Sequence, residues 1–310
     1  MKPIYCLMQG GVLLSTLLLS STISAAVSAD EAAQLQSTLT PIGAERAASA
    51  DGKIPAWDGG LSSKTPKLTS NGTPADPYAS EKPLFTIDAN NYTQYQDQLS
   101  PGQIALLKHF PDSFRLPVYP SHRSVAVDAE AVAAAARNAT QAKLINDGNG
   151  VEGFAGVVAF PVPKNGLEVL WNHLTRNRNA SFSLITDSAA PQKDGSYTIM
   201  TTLQYFSRRE AVTGLKPDEA KNILYYYSHK ITAPSRMVGE VVLVHETLDQ
   251  IAEPRLSWVY NAGQRRVRRA PSVAYDTAGP TTAGMRTADS RDMFNGAPDR
   301  FEWKLVGKKT

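Results

Sequence analysis

The chain has 310 residues, and its 32 lysines and arginines against 29 acidic residues give a net charge of +3. That balance argues against a dedicated nucleic-acid-binding protein, which would carry a strongly basic domain. A hydrophobic content of 42% is enough for a folded core and excludes wholesale disorder. The single cysteine excludes a disulfide framework and a cysteine-rich zinc site.

Residues 1–26 have the composition of a secretory signal peptide. Lys2 gives the positive start, a largely apolar stretch runs from residue 7 to residue 19, and small residues lead to a cleavage site placed after Ala26. A membrane anchor is the alternative, but it would need about 20 apolar residues. We therefore expect export to the periplasm, and removal of Cys6 would leave the mature chain without a thiol.

Residues 27–99 are predicted to form an extended N-terminal arm, because proline, glycine and turn dipeptides are concentrated between residues 41 and 83. Trp57 is the residue expected to dock this arm by packing. Residues 100–310 are predicted to form one α+β domain.

Four segments of that domain have helical patterns. Residues 100–109 begin with proline at the first helical position, and residues 128–147 begin with Asp128 as the N-cap. Residues 167–174 place leucines and a tryptophan on one face. Residues 217–230 open with Pro-Asp-Glu, and this helix would carry Tyr225, Tyr226 and Tyr227.

The remaining segments favour strands, because they are rich in β-branched and aromatic residues. These segments are residues 197–206, 238–248, 255–260, 264–270 and 299–306. The pair at 255–270 is joined by a short turn with Gly263, which is typical of a hairpin. Helices before strands, with no repeated βαβ order, predict a curved antiparallel sheet with helices packed across one face.

Strand alternation predicts an apolar ligand-binding surface on this sheet. The residues expected to share it are Tyr197, Ile199, Leu203, Tyr205, Leu256, Trp258 and Tyr260. A helix lying over this face as a lid would let it hold an acyl chain. The alternative is an ordinary closed core.

Four arginines fall within five positions of the last hairpin strand. Alternation places Arg265 and Arg269 on one face and Arg266 and Arg268 on the other. Guanidinium groups suit phosphate and carboxylate geometry, so these residues are candidates for contact with a ligand head group or an acidic partner. A charged, protected edge strand is the alternative.

No motif assigns catalysis. The G-x-G-x-x-G pattern at residues 148–153 follows a helix and not a strand, which indicates a flexible turn and not a nucleotide site. His245-Glu246 lacks the second histidine of a zinc protease, and His245 is interpreted as a hydrogen-bonded core residue. We expect no enzyme activity, no cofactor and no metal.

Several stretches resemble the bacterial domain of unknown function 1329 family, which is described as outer-membrane lipoprotein-sorting-like. The matching stretches are residues 26–33, 39–45, 52–57, 161–173, 244–247, 260–271 and 292–300. The resemblance implies a fold similar to the lipoprotein carriers LolA and LolB, a half-open antiparallel barrel capped by helices. It also implies work in the Gram-negative envelope beside an outer-membrane protein and an RND-type exporter. It supplies no catalytic residues.

Members of this family continue beyond Gly307, so a C-terminal truncation and an incomplete barrel are expected. The function predicted from these observations is that of a periplasmic carrier or chaperone for a lipid or other hydrophobic compound, without catalysis. A periplasmic esterase-like hydrolase and a structural adaptor of an envelope transport complex are the two alternatives.

Overall fold

The structure is a computed structural model that describes residues 27–61, 68–70, 72–156, 158–178, 180–215, 221–279, 281–282 and 284–307. The signal peptide predicted for residues 1–26 and the helix start predicted at residues 217–219 lie outside these ranges. Within the described residues, no helix is both long and apolar enough to cross a membrane.

Four α-helices are present in the described chain, and all precede the main sheet. They are α1 (Ala29–Ala33), α2 (Pro101–His109), α3 (Ala129–Gln141) and α4 (Gly166–Thr175). Helices α2 and α4 confirm the predictions for residues 100–109 and 167–174. Each of the four begins at a polar N-cap whose side chain accepts a backbone N–H, which explains why the starts of α2, α3 and α4 could be predicted from the sequence. Helix α1 was not predicted.

Helix α3 starts as predicted but ends earlier. The Asp128 carboxylate accepts the N–H of Ala131 at 2.7 Å and fixes the first turn. The expectation of helix to residue 147 is wrong, because Asn146 and Asp147 adopt positive φ angles of 50° and 54°. These residues form the turn of a small hairpin, so the chain leaves the helix after Gln141.

Ten strands form three antiparallel sheets among the described residues. Two small sheets pair β1 (Phe85–Ile87) with β2 (Leu116–Val118) and β3 (Lys143–Ile145) with β4 (Gly150–Glu152). The main sheet contains β5 (Ser181–Ala189), β6 (Ile199–Arg208), β7 (Ile223–Ala233), β8 (Val241–Thr247), β9 (Leu256–Asn261) and β10 (Arg266–Arg269).

The main sheet is a meander in which every strand pairs with its neighbours in chain order, from β5 at one edge to β10 at the other. The two edge strands do not pair with each other within the described chain, so the sheet is not closed. This confirms the α+β class and is consistent with a curved half-barrel. The predicted hairpin is also confirmed, with Val267 opposite Tyr260.

Two sequence predictions are wrong, and one strand of this sheet was not predicted. Tyr225, Tyr226 and Tyr227 lie on the central strand β7 and not on a helix. Residues 301–307 form no strand, and Phe301 and Trp303 pack edge-on against Phe294 instead. Strand β5 was missed, because its serines, threonine and aspartate lack the apolar alternation of a buried strand.

Helix α4 and residues 271–279 and 284–300 lie on one side of the main sheet, which we call the covered face. Arg208 on this face donates to the carbonyl of Thr175 at the end of α4, at 3.5 Å. The buried side chains of this face include Thr202, Gln204, Phe206, Tyr225, His229, Val244, Glu246 and Ser257. The opposite side carries the alternate residues of the same strands.

The N-terminal residues contact the helical layer. Val27, Leu35 and Leu39 are buried against Ala139 of α3. Farther along, the indole N–H of Trp57 donates to the carbonyl of Val125 at 2.9 Å, and the Arg46 guanidinium lies 5.0 Å from the centre of the indole ring. Trp57 thus makes the docking contact proposed for it.

Candidate functional site

The side of the main sheet opposite α4 presents an apolar, aromatic surface to solvent, which we call the open face. Its principal members are Ile185, Leu203, Tyr205, Tyr226, Leu243, His245, Trp258 and Tyr260. All project on the same side, because side chains alternate along each strand. The surface therefore spans β5 to β9.

Strand register arranges these residues in rows across the sheet. Tyr205 lies opposite Ser183 on β5 and Ser228 on β7. Ser228 lies opposite Leu243, and Leu243 lies opposite Trp258. Leu203 and Tyr260 hold equivalent positions in the next row, which is interrupted by Lys230.

Aromatic contacts connect the middle of the open face to its far edge. The His245 ring lies edge-on to Tyr226 at 4.7 Å and to Trp258 at 4.9 Å between ring centres. The Arg269 guanidinium lies 5.1 Å from the centre of the Trp258 ring, within cation–π range. These contacts orient the rings relative to one another while leaving their outer surfaces uncovered.

A shallow depression of about 410 Å³ lies on this face between the large side chains. Tyr205, Tyr226 and Leu243 form its walls, and small residues such as Ser183 and Ser228 leave the space between them. The volume is in the range of small-molecule binding sites, which is roughly 300–1,000 Å³. Apolar walls with hydroxyl groups between them suit an apolar compound that carries few polar groups.

Six of the seven residues predicted to form the apolar surface lie on strands of the main sheet, and they share the open face. These are Ile199, Leu203, Tyr205, Leu256, Trp258 and Tyr260. Tyr197 precedes β6 and is 63% exposed. The helix considered as a lid for this surface does not form, because residues from Ile223 onward belong to β7, and α4 packs on the other face.

The four arginines predicted to contact a head group lie at the β10 edge of the main sheet, but their side chains do not share one face. Arg265 precedes β10 in the turn, with a φ of 52°, so its prediction as a strand residue is wrong. Arg269 projects from the open face beside Trp258, whereas Arg266 and Arg268 share the opposite face as alternation predicted. All three strand arginines are exposed.

His245 also differs from its interpretation as a core residue. It lies on the open face between two aromatic rings and is only partly buried. Burial lowers its pKa, and the nearby carboxylate of Glu253 opposes that shift. A neutral imidazole in this position behaves as part of the aromatic surface.

The covered face contains a buried polar network that the sequence analysis missed. The Tyr225 hydroxyl donates to Glu246 and to the side-chain oxygen of Asn295, each at 3.1 Å. The Tyr227 hydroxyl donates to Gln204 Oε1 at 2.9 Å. The tyrosines were hidden by their misassignment to a helix. Their enrichment in aromatics was the available signal for a strand.

In the part of the chain that the structure describes, no group of three or more histidine, cysteine, aspartate or glutamate side chains is close enough to hold a metal ion. The open face combines apolar, aromatic and hydroxyl side chains, which can make apolar contacts and hydrogen bonds with a ligand.

Comparison with known proteins gives a family and a close relative. Residues 86–310 match the family described as a protein of unknown function, DUF1329. The chain is 53% identical over 309 residues to an uncharacterized protein of Pseudomonas aeruginosa, and the match covers 100% of this chain and 68% of that protein. No solved structure matches the chain significantly.

Proposed function

The chain belongs to the DUF1329 family, and from that premise we propose that it is a non-catalytic carrier or chaperone that binds a lipid or other hydrophobic compound. We place this activity in the periplasm, as the signal-peptide pattern predicts. The binding surface in this proposal is the open face of the main sheet.

The observation that carries the proposal is the exposure of large apolar side chains in one contiguous area. Ile185, Tyr205 and Leu243 are 74%, 51% and 38% exposed. They lie on β5, β6 and β8 and share one face of a single sheet. A contiguous exposed apolar surface of this kind marks an interaction site more often than isolated hydrophobic residues do.

The strength expected of this surface fits reversible binding. Covering about 300 Å² of ligand apolar area contributes roughly 7 kcal/mol before association costs. Those costs are several kcal/mol, so the net affinity is modest. A carrier needs such an affinity, because it must release its ligand.

Charged groups border the apolar surface and would select the polar end of the ligand. Arg269 stands beside Trp258 at one edge, and Lys230 interrupts the row between Leu203 and Val241. We propose that these cations favour a lipid with an anionic head group. Arg265, Arg266 and Arg268 extend the positive charge around the edge of the sheet.

The likeness to LolA and LolB belongs to this proposal too. An unclosed antiparallel sheet with a helix on one face supports it. The proposed ligand lies on the uncovered side, which differs from a cavity beneath capping helices. An outer-membrane protein and an RND-type exporter are the partners that we propose would deliver or receive the ligand.

The test is extraction of bound compounds from the protein purified from the cell envelope. Organic extraction and mass spectrometry should recover lipid, and a fluorescent fatty acid should bind with saturation. Recovery of no lipid together with no uptake of the fatty acid would overturn the proposal. Turnover of chromogenic esters, abolished by replacing a single serine or His245, would instead favour the hydrolase.

The adaptor function predicts a different result. Photo-crosslinkers placed at Leu243 and Ile185 would then capture a defined envelope protein, and the extracts would contain no lipid. For the carrier, the same crosslinkers should label a lipid.

A further inference from the structure

Arginine side chains converge on the covered face beside Tyr227, away from the open face. The Arg291 guanidinium lies 4.6 Å from the centre of the Tyr227 ring, and its Nη2 donates to Gln204 Oε1 at 3.2 Å. The charges of Arg291 and Arg286 both act on the Tyr227 hydroxyl. Arg176 and Arg178 follow α4 toward the same side.

The carboxylate of Asp292 contacts two of these arginines. The guanidinium groups of Arg176 and Arg178 both contact Oδ2 of Asp292, the second at 2.5 Å. In the described ranges, neither Arg286 nor Arg291 has a carboxylate partner within ion-pair distance. Two guanidinium groups therefore share one carboxylate. The charge of Arg291 also acts on Arg178, so a surplus of positive charge remains beside Asp292.

The cluster also has unused hydrogen-bond donors. Nε of Arg178 and Nε of Arg286 are buried and have no acceptor among the described residues. A buried donor without a partner is unfavourable, and an anionic oxygen would satisfy it. The cluster is open to solvent on one side, since the side chains of Arg176 and Arg178 remain 34% and 25% exposed.

Asp292 reaches the arginines from a strained turn. Asp292 and Met293 have consecutive φ angles of 57° and 66°, in the left-handed region that residues other than glycine rarely adopt. Met293 is 83% exposed, so packing of its side chain does not hold the turn. The turn is held by the ion pairs of Asp292 and by His173 Nε2, which contacts the carbonyl oxygens of Asp292 and Phe294 at 2.8 and 3.1 Å.

We propose that Arg176, Arg178 and Arg291 form a binding site for a phosphate group, and that Asp292 is the internal carboxylate that this phosphate displaces. Arginine forks match the oxygen geometry of phosphate. A doubly charged anion also fits the surplus of guanidinium charge better than a single carboxylate does. This site is separate from the open face and does not depend on the carrier function.

Isothermal titration with inorganic phosphate, at constant ionic strength with chloride as the reference anion, tests the site. Arg291→Gln should weaken phosphate binding about tenfold, the value of one charge-assisted hydrogen bond. Arg236→Gln removes an exposed arginine outside the cluster and is the matched control. It should leave the affinity unchanged.

Asp292→Asn tests whether the Asp292 carboxylate competes with phosphate for the arginines or only stabilises the fold. Removal of the competing carboxylate should strengthen phosphate binding about tenfold, and phosphate should raise the Tm of this variant more than that of the wild type. The expected gain in binding keeps the test decisive even if Arg291→Gln folds poorly.

Two phosphate sources are distinguished in parallel titrations with glycerol 3-phosphate and short-chain phosphatidic acid. Tighter binding of the lipid identifies a lipid head group as the ligand, and equal binding identifies a soluble phosphate. Binding of none of the three compounds, or an affinity that neither Arg291→Gln nor Asp292→Asn changes, would overturn the proposal.

Discussion

The Arg255 guanidinium and the Glu246 carboxylate form a buried ion pair in which Nη2 and Oε2 lie 2.5 Å apart. Their side chains are 3% and 6% exposed. Arg255 also donates to the carbonyls of Val273 at 3.1 Å and Asn295 at 2.9 Å, and thereby holds these two segments against the covered face. Burial acts against the charge of Arg255, but Glu246 and Tyr225 outweigh it and raise the pKa of the guanidinium.

Glu246→Gln should destabilise the protein strongly, because it leaves the charge of Arg255 buried without a counterion. We expect the free energy of unfolding to fall by about 3 kcal/mol. Urea denaturation measures this loss. Lys143→Gln breaks an exposed ion pair with Glu152 and should cost less than about 1 kcal/mol. Equal losses in the two variants would show that the buried Arg255–Glu246 pair does not stabilise the protein more than an exposed ion pair does.

His229 should make stability fall on mild acidification. Burial lowers its pKa from 6.5 to about 4, and Arg291 acts in the same direction. Between those values the unfolded chain binds a proton that the folded protein does not bind. The contribution of His229 to the free energy of unfolding is therefore fully present above pH 6.5. It is lost as the pH falls toward 4, and the total loss is about 3 kcal/mol.

Urea titrations at several pH values between 7 and 4 measure this dependence. His229→Gln should reduce the number of protons taken up on unfolding by about one, so that the free energy of unfolding depends less on pH. His109→Gln, which changes an exposed histidine at the end of α2, is the control and should keep the wild-type slope. A wild-type slope in His229→Gln would show that another group causes the acid sensitivity.

A substitution on the open face should weaken ligand binding without lowering the stability of the protein. Tyr205→Ser removes a half-exposed ring from the wall of the depression and should weaken fatty-acid binding about tenfold, since roughly 1–2 kcal/mol of apolar contact is lost. The free energy of unfolding should change little, because the ring is 51% exposed. Fluorescence titration and urea denaturation measure the two quantities.

The control for that variant is Leu84→Ser, which alters an apolar residue outside the main sheet that is 65% exposed. It should leave fatty-acid binding unchanged. If both variants weaken binding alike, the fatty acid recognises exposed hydrophobic surface in general and not the open face.

Gly43 should be intolerant of a side chain. Its φ is 91°, and a Cβ atom built there would overlap the carbonyl oxygen of Pro161. Gly43→Ala should cost more than about 2 kcal/mol, and residues 39–46 should become more sensitive to protease. Gly52 has a similar φ of 69° but no atom within 4 Å of such a Cβ. Gly52→Ala should therefore cost only about 1 kcal/mol.

Features that depend on local sequence were predictable. Asp128 and Ser100 cap helices, and their side chains accept backbone N–H groups whatever the rest of the fold is. The last hairpin was predictable in the same way from its short turn and alternating strands. Alternation also grouped Tyr205 with Leu203 and Trp258 with Tyr260, whereas the face shared by the two pairs depends on the register through β7 and β8.

Features that depend on tertiary contacts were not predictable. Tyr226 has a helical pattern around it, yet pairing with His245 on β8 places it in a strand. Similarly, Phe301 and Trp303 alternate like strand residues but pack against Phe294. The Arg255–Glu246 pair joins residues from different elements, and the linear order of charges gives no sign of it.

The alternating side chains of β6 and β7 make their pairing sensitive to a change of a single residue. Gln204 pairs with His229 on one side, and its neighbour Tyr205 pairs with Ser228 on the other. Deleting one residue within either strand would exchange these sides, so that Gln204 or His229 faced solvent and Tyr205 or Ser228 faced the interior. The lengths of these two strands are therefore as constrained as the identities of the residues they carry.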